Sequence, residues 1–299
     1  MTGCKAPRAV KPEITIGLTF YNSVGTLKDA LRSIFAQTFQ DWELLIIDDH
    51  STDGSFDIAR SVKDHRVKVY REEGRLGFVN ALNRITSLSR GKYYARMDAD
   101  DMMHPERLAR QLEYLKKRPE MDVVDTAMYS MNQKGRPVGI REVGPADVNP
   151  MVTLRGRFFH HATIMGHTEW FRRNPYDPCF IRAEDCELWC RTFNTSRFGR
   201  INEPLYFVRE GLVNVRNYLE SARTVRRIIR THGPKLVKGH RIAKLIIESH
   251  VKGYAYRVFS SMNSHDLLVN MRNRKLRRRE IEGARAIIEH ILSTHVPGF

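Results

Sequence analysis

Glu43-Leu44-Leu45-Ile46-Ile47-Asp48-Asp49-His50-Ser51-Thr52-Asp53-Gly54 is the stretch from which the fold class is read. Its apolar residues run without alternation, so neither face of this strand is expected to meet water. Strands of that kind belong to parallel sheets covered by helices on both sides. The run ends in two acids and a turn of Ser, Thr, Asp and Gly, the residues that suit a chain reversal. Working outward, Ile14 to Phe20 reads as another buried strand. Gly25 to Gln37 carries Leu27, Ala30, Leu31, Ile34 and Phe35 at helical spacing. A helix from Ser55 to Lys63, a strand Val67 to Tyr70, a helix Phe78 to Leu88, a strand Tyr93 to Met97 and a helix Pro105 to Lys117 continue the alternation. Pro105 suits a first helical turn. Alternation at this length predicts β-α units with right-handed crossovers.

Beyond Pro119 the pattern changes. Met121 to Met131 and Phe158 to Gly166 are predicted strands, separated by a turn over Gln133 to Pro137. An Asn- and Pro-containing loop, Asn174 to Pro178, leads to a predicted helix from Glu184 to Phe193. Three amphipathic helices are expected after Gly211: Val213 to Thr231, Lys235 to Ser260 and Arg279 to Ser293. There is no internal repeat and no low-complexity linker, so the parts are expected to pack together. The organisation predicted is a tail over 1–12, an α/β domain over 13–210 and a basic helical region over 211–299.

With 299 residues, 41% of them apolar, the chain can bury one large domain plus an appendage, or two modest domains. The longest apolar run, Leu44 to Ile47, is far below the roughly 20 residues of a membrane span. Met1 to Val10 lacks the apolar stretch of a secretory signal, and a cytoplasmic protein is expected. Cys186 and Cys190 stand four residues apart on a predicted helix, near Cys179, and Cys4 lies in the tail. Zinc is conceivable there, but with no CxxC pair the expectation is buried free thiols. The net charge is +16, and residues 211–299 hold 18 Lys and Arg against 6 Asp and Glu. That asymmetry implies two regions with different electrostatic roles.

Ligands of open α/β sheets bind beyond the carboxyl ends of the strands. Tyr21-Asn22, Asp48-Asp49 and Asp98-Ala99-Asp100-Asp101 all fall at that edge. Three carboxylates within four residues repel one another unless a cation neutralises them, and an all-oxygen set suits Mg²⁺ or Mn²⁺ bound together with phosphate. The same acids could equally cap the following helix. Asp49 could accept hydrogen bonds from a base or ribose, and Tyr21 could stack on a base face; turn chemistry and core rim are the plainer alternatives. Glu184-Asp185 could be a reactive pair or simply first-turn acids favoured by the helix dipole.

Taken together these blocks resemble the family 2 glycosyltransferases of GT-A fold. The resemblance rests on Ile14 to Asn22, Ser33 to Glu43, Ile47 to Ser55, Gly91 to Asp101 with Pro105 to Leu108, and Ala183 to Trp189, in the family's order and spacing over residues 13–210. It implies an α/β GT-A fold: Rossmann-like, with a mostly parallel central sheet flanked by helices, here followed by a C-terminal helical extension. It also implies an inverting transfer from a nucleotide-diphosphate sugar, UDP being the commonest choice, with Mn²⁺ or Mg²⁺ as cofactor. By position, Thr19 and Tyr21 match the nucleobase pocket and Asp49 the carboxylate that bonds the base. Asp98 matches the donor-contacting Asp of the DxD element, with Asp100 or Asp101 as metal ligand. Asp185 matches the general base, and His161 a strand position near the active site. This chain has Leu18-Thr19-Phe20-Tyr21-Asn22 where the family often has Pro-Thr-Tyr-Asn. Arg75, in Arg75-Leu76-Gly77, could meet the donor diphosphate or lie on the surface.

A saccharide or lipid-linked saccharide acceptor follows from the resemblance. The basic run Arg272 to Arg279 is open to three readings: a solvated face, an anionic membrane surface, or, least favoured, nucleic acid. A membrane reading would place the enzyme peripherally on the inner face of the cell membrane. A nucleotidyltransferase is the main rival, but Tyr21 to Gly25 lacks the basic phosphate loop it would need. A non-catalytic sugar-nucleotide or nucleic-acid binding module would have no use for Asp185.

Overall fold

The structure, a computed structural model, describes residues 11–141, 144–156, 158–211, 215–261 and 274–299. The predicted tail over 1–10, with Cys4, and Arg272 and Asn273 of the basic run lie outside the described residues. In chain order the elements are β1 (Ile14–Phe20), α1 (Leu27–Phe35), β2 (Trp42–Asp48), α2 (Ser55–Ser61), β3 (Val67–Arg71), α3 (Phe78–Leu88), β4 (Tyr93–Asp98), β5 (Met102–Met103), α4 (Arg107–Lys117) and β6 (Val123–Met131). They continue with β7 (Pro137–Arg141), α5 (Pro150–Leu154), a 3-10 turn (His161–Thr163), β8 (Met165–His167), α6 (Thr168–Arg173), α7 (Glu184–Thr192) and β9 (Phe198–Arg209). The C-terminal part comprises α8 (Val215–Leu236), α9 (Gly239–Ser261), β10 (Arg274–Lys275) and α10 (Arg278–Ser293).

The main path of the sheet runs β10-β7-β6-β8-β4-β1-β2-β3. The half built from the N-terminal strands, β3-β2-β1-β4, is parallel throughout, as the strand–helix alternation predicts. β8 then enters antiparallel to both β4 and β6, so the other half is mixed. The apolar run of β2 divides by parity, as a pleated strand requires. Leu44 and Ile46 join α1 and α4 residues such as Leu31, Ile34, Leu108 and Leu112 in one core. Leu45 and Ile47 join Leu82 and Ile85 of α3, Trp170 and Phe171 of α6 and Trp189 of α7 in the other.

Three expectations are corrected. The predicted strand over Phe158 to Gly166 is a 3-10 turn at His161–Thr163 followed by the three-residue β8. Thr163 explains the break: its hydroxyl lies 3.0 Å from the His160 carbonyl and accepts the Thr126 N–H at 3.1 Å, interactions a ladder cannot accommodate. The helix expected to stop at Thr231 continues to Leu236 with Pro234 inside it. β9 had no sequence-based counterpart, although it pairs with β6 over most of its length and also with β5. Cys186 and Cys190 are buried free thiols, whereas Cys179 is exposed.

Helices α8 and α9 dock on α5 and α7 through Leu154, Phe180, Cys186, Ile228, Ile229 and Leu245. The chain then returns to the sheet. β10 pairs with β7, and α10 seats Ala284, Ile288 and Ile291 against Met102, Met131 and Phe207. Among the described residues no helix is long and apolar enough to cross a membrane.

Candidate active site

The ends of β1, β2 and β4 form one edge. In register, Thr19 stands beside Ile47 on one side and Asp98 on the other, and Phe20 beside Asp48. The loops that leave β1 and β2 are stitched together. Asn22 N–H donates to Ser51 Oγ at 2.9 Å, Thr52 N–H to Asn22 Oδ1 at 2.9 Å, and Val24 N–H to Asp53 Oδ2 at 3.0 Å. Asp48 is fully buried and its Oδ1 accepts the Ser51 N–H at 2.9 Å, so it serves the turn. Above this edge opens a cavity of about 440 Å³ lined by Thr19, Tyr21, Asp49, Arg75, Asp98 and Asp100 among others. Six of the eight site residues expected from sequence therefore converge; Asp101 and Asp185 do not line it.

One end of the cavity is an aromatic and charged shelf. Asp49 is buried, and its Oδ1 accepts N–H bonds from Leu76 at 2.6 Å and Gly77 at 3.2 Å. Its Oδ2 accepts from Arg75 Nε at 3.1 Å. The Arg75 guanidinium lies 3.4 Å from the centre of the half-exposed Tyr21 ring. Gly77 takes φ +79, a conformation that favours glycine and lets two successive amides face one carboxylate oxygen.

The acidic loop holds three carboxylates in three situations. Asp98 is gripped by both terminal nitrogens of Arg96, one arm at 2.9 Å. Arg96 is only 4% exposed; burial opposes its charge, but Asp98 together with the nearby Tyr206, Tyr176 and Tyr94 outweighs it and raises its pKa above the ordinary value. Asp101 is buried and turned toward β9, accepting the Arg209 N–H at 2.7 Å. Burial and the charges of Asp100 and Asp98 push it well above the usual carboxylate range. Asp100 is exposed to the cavity, and burial of its carboxyl with repulsion from Asp98 raises it as well. β9 closes over this loop: Tyr206 Oη receives the Asp98 N–H at 3.2 Å, and Arg209 Nε donates to the Asp100 carbonyl at 3.0 Å.

Among the described residues no cluster of three His, Cys, Asp or Glu side chains is arranged to hold an ion alone. Asp98 and Asp100 both line the cavity; with Asp98 engaged by Arg96 and Asp101 by β9, Asp100 is the acid of this loop best placed to meet an ion. One carboxylate completed by substrate phosphates and water fits Mg²⁺ or Mn²⁺.

Asp185 opens α7 and lines a second cavity, of about 730 Å³, between this domain and helices α8 and α9. Burial raises its pKa. Its neighbour Glu184 is buried, with Oε1 3.9 Å from His161 Nδ1. Burial and the Asp185 charge push Glu184 up to about 7. His161 Nε2 lies 2.7 Å from Tyr176 Oη, and its ring meets Phe78 of the first cavity edge-on. Burial, together with the Arg96 charge, holds this imidazole well below its ordinary pKa, so it is neutral beside Glu184. Phe78, which lines the first cavity, thus connects through His161 to Glu184, the sequence neighbour of Asp185 in the second.

A family model described as Glycosyl transferase family 2 matches residues 15–180. The chain belongs to that family. EpsE of Bacillus subtilis, which bears a glycosyltransferase name, is 33% identical over 67% of this chain and 73% of its own length. S. aureus TarS 1–349, solved with UDP-GlcNAc, superposes with a TM-score of 0.63 at 17% identity, covering 93% of this chain and 89% of that one. Against a longer TarS chain the coverage of that chain is 43%. The mannosyltransferase PcManGT from Pyrobaculum calidifontis, in complex with GDP-Man and Mn²⁺, gives a TM-score of 0.57 at 15% identity, covering 96% of this chain and 86% of its own. These structural likenesses establish the GT-A fold with a helical C-terminal region; the family match makes the chain a glycosyltransferase.

Sequence reasoning gave no role to Arg96, Tyr206 or Arg209, and singled out Asp185 rather than Glu184 in the acidic pair. A signal for Arg96 was present: a cation two residues before Asp98 on a buried strand shares its face. Arg209 carried no such signal, because its acidic partner is 108 residues away.

Proposed function

We propose that the chain transfers a sugar from a nucleotide-diphosphate donor, with UDP the favoured nucleotide, to the hydroxyl of a saccharide or lipid-linked saccharide, inverting the anomeric carbon. Cell-surface polysaccharide assembly is the setting, with residues 13–210 as catalytic domain and a peripheral position on the inner membrane face. The observation that carries this reading is a pair of cavities, one with an aromatic shelf and an acidic loop, the other with Asp185 at a helix start, connected through the contacts of Phe78, His161 and Glu184. The UDP-GlcNAc and GDP-Man–Mn²⁺ complexes of the structural neighbours support a nucleotide sugar and a divalent ion.

Thr19 and Tyr21 flank the base, with Asp49 accepting its N–H. Arg75 is held by Asp49 and Tyr21 and so covers the base end of the cavity. Asp98, fixed in place by Arg96, meets the ribose or donor. Asp100 would hold Mn²⁺ or Mg²⁺ together with the diphosphate, with Asp101 fixing the loop. When bound, the ion neutralises charge that grows on the leaving phosphate oxygens. Asp185 accepts the acceptor hydroxyl proton as the new C–O bond forms, and the old C–O bond's electron pair leaves with the diphosphate. One base and no enzyme nucleophile give inversion.

Asp185→Asn should bind UDP with Mn²⁺ as the wild type does, yet lose transfer by about 10²–10⁴-fold. Calorimetry and single-turnover transfer measure the two separately. Near-wild-type turnover would overturn the base assignment. Failure of every nucleoside diphosphate to stabilise the protein in a thermal-shift panel would overturn the donor reading.

A further inference from the structure

Helix α9 has two faces with different work. Its inner face contributes Leu245, Glu248, Ser249 and Lys252 to the cavity that holds Asp185. Its outer face exposes Ile247 (62%), Val251 (63%) and Tyr254 (70%). At about 100° per residue these three fall within roughly 60° of one another on the helix surface. Lys244 and Arg257, both exposed, border the same strip. Across residues 215–257 there are 11 Lys and Arg against 2 Asp and Glu.

We propose that the outer face of α9 docks on an anionic lipid bilayer, with Ile247, Val251 and Tyr254 entering the interface and Lys244 and Arg257 meeting the head groups. A helix face with an apolar strip between cationic borders can lie in the plane of such an interface, and both parts add to its hold. Charge decides between occupants. A second copy would bring a matching excess of cations against this one, and a nucleic acid would gain nothing from aliphatic side chains in water. The contact would set the mouth of the Asp185 cavity beside the membrane, where a lipid-linked acceptor is presented. That purpose rests on the proposed glycosyltransferase reading; the contact itself is read from α9.

The test is co-sedimentation of the full chain with vesicles of phosphatidylglycerol and phosphatidylcholine, against phosphatidylcholine alone, over a series of salt concentrations. The wild type should bind the anionic vesicles at low salt and weaken as salt rises. The triple variant Ile247→Ser, Val251→Ser, Tyr254→Ser and the pair Lys244→Glu, Arg257→Glu should each lower partitioning by at least about tenfold (about 1.4 kcal/mol). Both variants should keep the wild-type circular dichroism and UDP affinity, so a failed membrane contact is distinguishable from a failed donor reading. No binding to anionic vesicles at low salt overturns the proposal, as does binding that the triple variant retains. Self-association of the wild type that the triple variant abolishes, or strip-dependent binding of nucleic acid, would also overturn it.

Discussion

Removing Arg96 is the perturbation that bears most directly on how the acidic loop is held. Its guanidinium is 4% exposed and grips Asp98, whose side chain is 25% exposed. Taking away one partner of a fully buried ion pair costs about 3–5 kcal/mol, because the other charge is left unpaired. Water reaches a quarter of Asp98, so part of that is recovered, and Arg96→Gln should cost about 2–3 kcal/mol. For a chain of this size that lowers Tm by roughly 3–5 °C. Asp98→Asn strands the buried guanidinium and should cost about as much. The double variant places two neutral amides where the ion pair was, and they can bond each other, so its loss should fall short of the sum by at least about 1 kcal/mol. Equilibrium urea unfolding followed by tryptophan emission is a suitable assay, since Trp42, Trp170 and Trp189 are all buried in the two cores. Additivity within about 0.5 kcal/mol would refute the coupling and with it the idea that Arg96 fixes Asp98.

Further outcomes follow from other parts of the site. Glu184 has its pKa raised to about 7 by burial and by Asp185, so the folded chain keeps a proton there that the unfolded chain gives up near 4.5. Wild-type stability therefore falls as pH rises from about 4.5 to 7, and Glu184→Gln should flatten that part of the Tm profile; parallel profiles would refute it. Asp100→Asn should abolish the strengthening of UDP binding by Mn²⁺ in calorimetry without lowering Tm, because it relieves repulsion from Asp98. Gly91→Ala should destabilise by about 2 kcal/mol or more in urea unfolding. A Cβ there would sit 2.4 Å from the Thr15 backbone nitrogen, and two paired strands cannot easily part.

Much of the architecture was legible along the chain because its signals are local. The unbroken apolar run of β2, the helical spacing of Leu27, Ala30, Leu31 and Ile34, and the polar residues after β1, β2 and β4 each report a period or a turn within a few residues. A parallel sheet then brings equivalent strand ends to one edge, which is why Thr19, Tyr21, Asp49, Arg75, Asp98 and Asp100 meet at one cavity. The region after Pro119 was less legible. Its strands are short or bent, β9 shifts register against β6 around Thr126 and Ala127, and side-chain bonds such as those of Thr163 end the regular ladder.

Composition and spacing were thus sufficient for the strand–helix alternation of the parallel half, for the strand edge where Tyr21-Asn22, Asp48-Asp49 and Asp98 to Asp101 fall, and for the set of candidate acids. Tertiary structure alone divided the work among those acids: Asp98 with Arg96, Asp101 with the Arg209 amide, Asp100 toward the cavity, Glu184 beside His161 and Asp185 in the lining of the second cavity. The reason is physical. Strand and helix periods are properties of neighbouring residues, whereas the fate of a carboxylate oxygen depends on which distant donor the folded chain brings within about 3 Å of it.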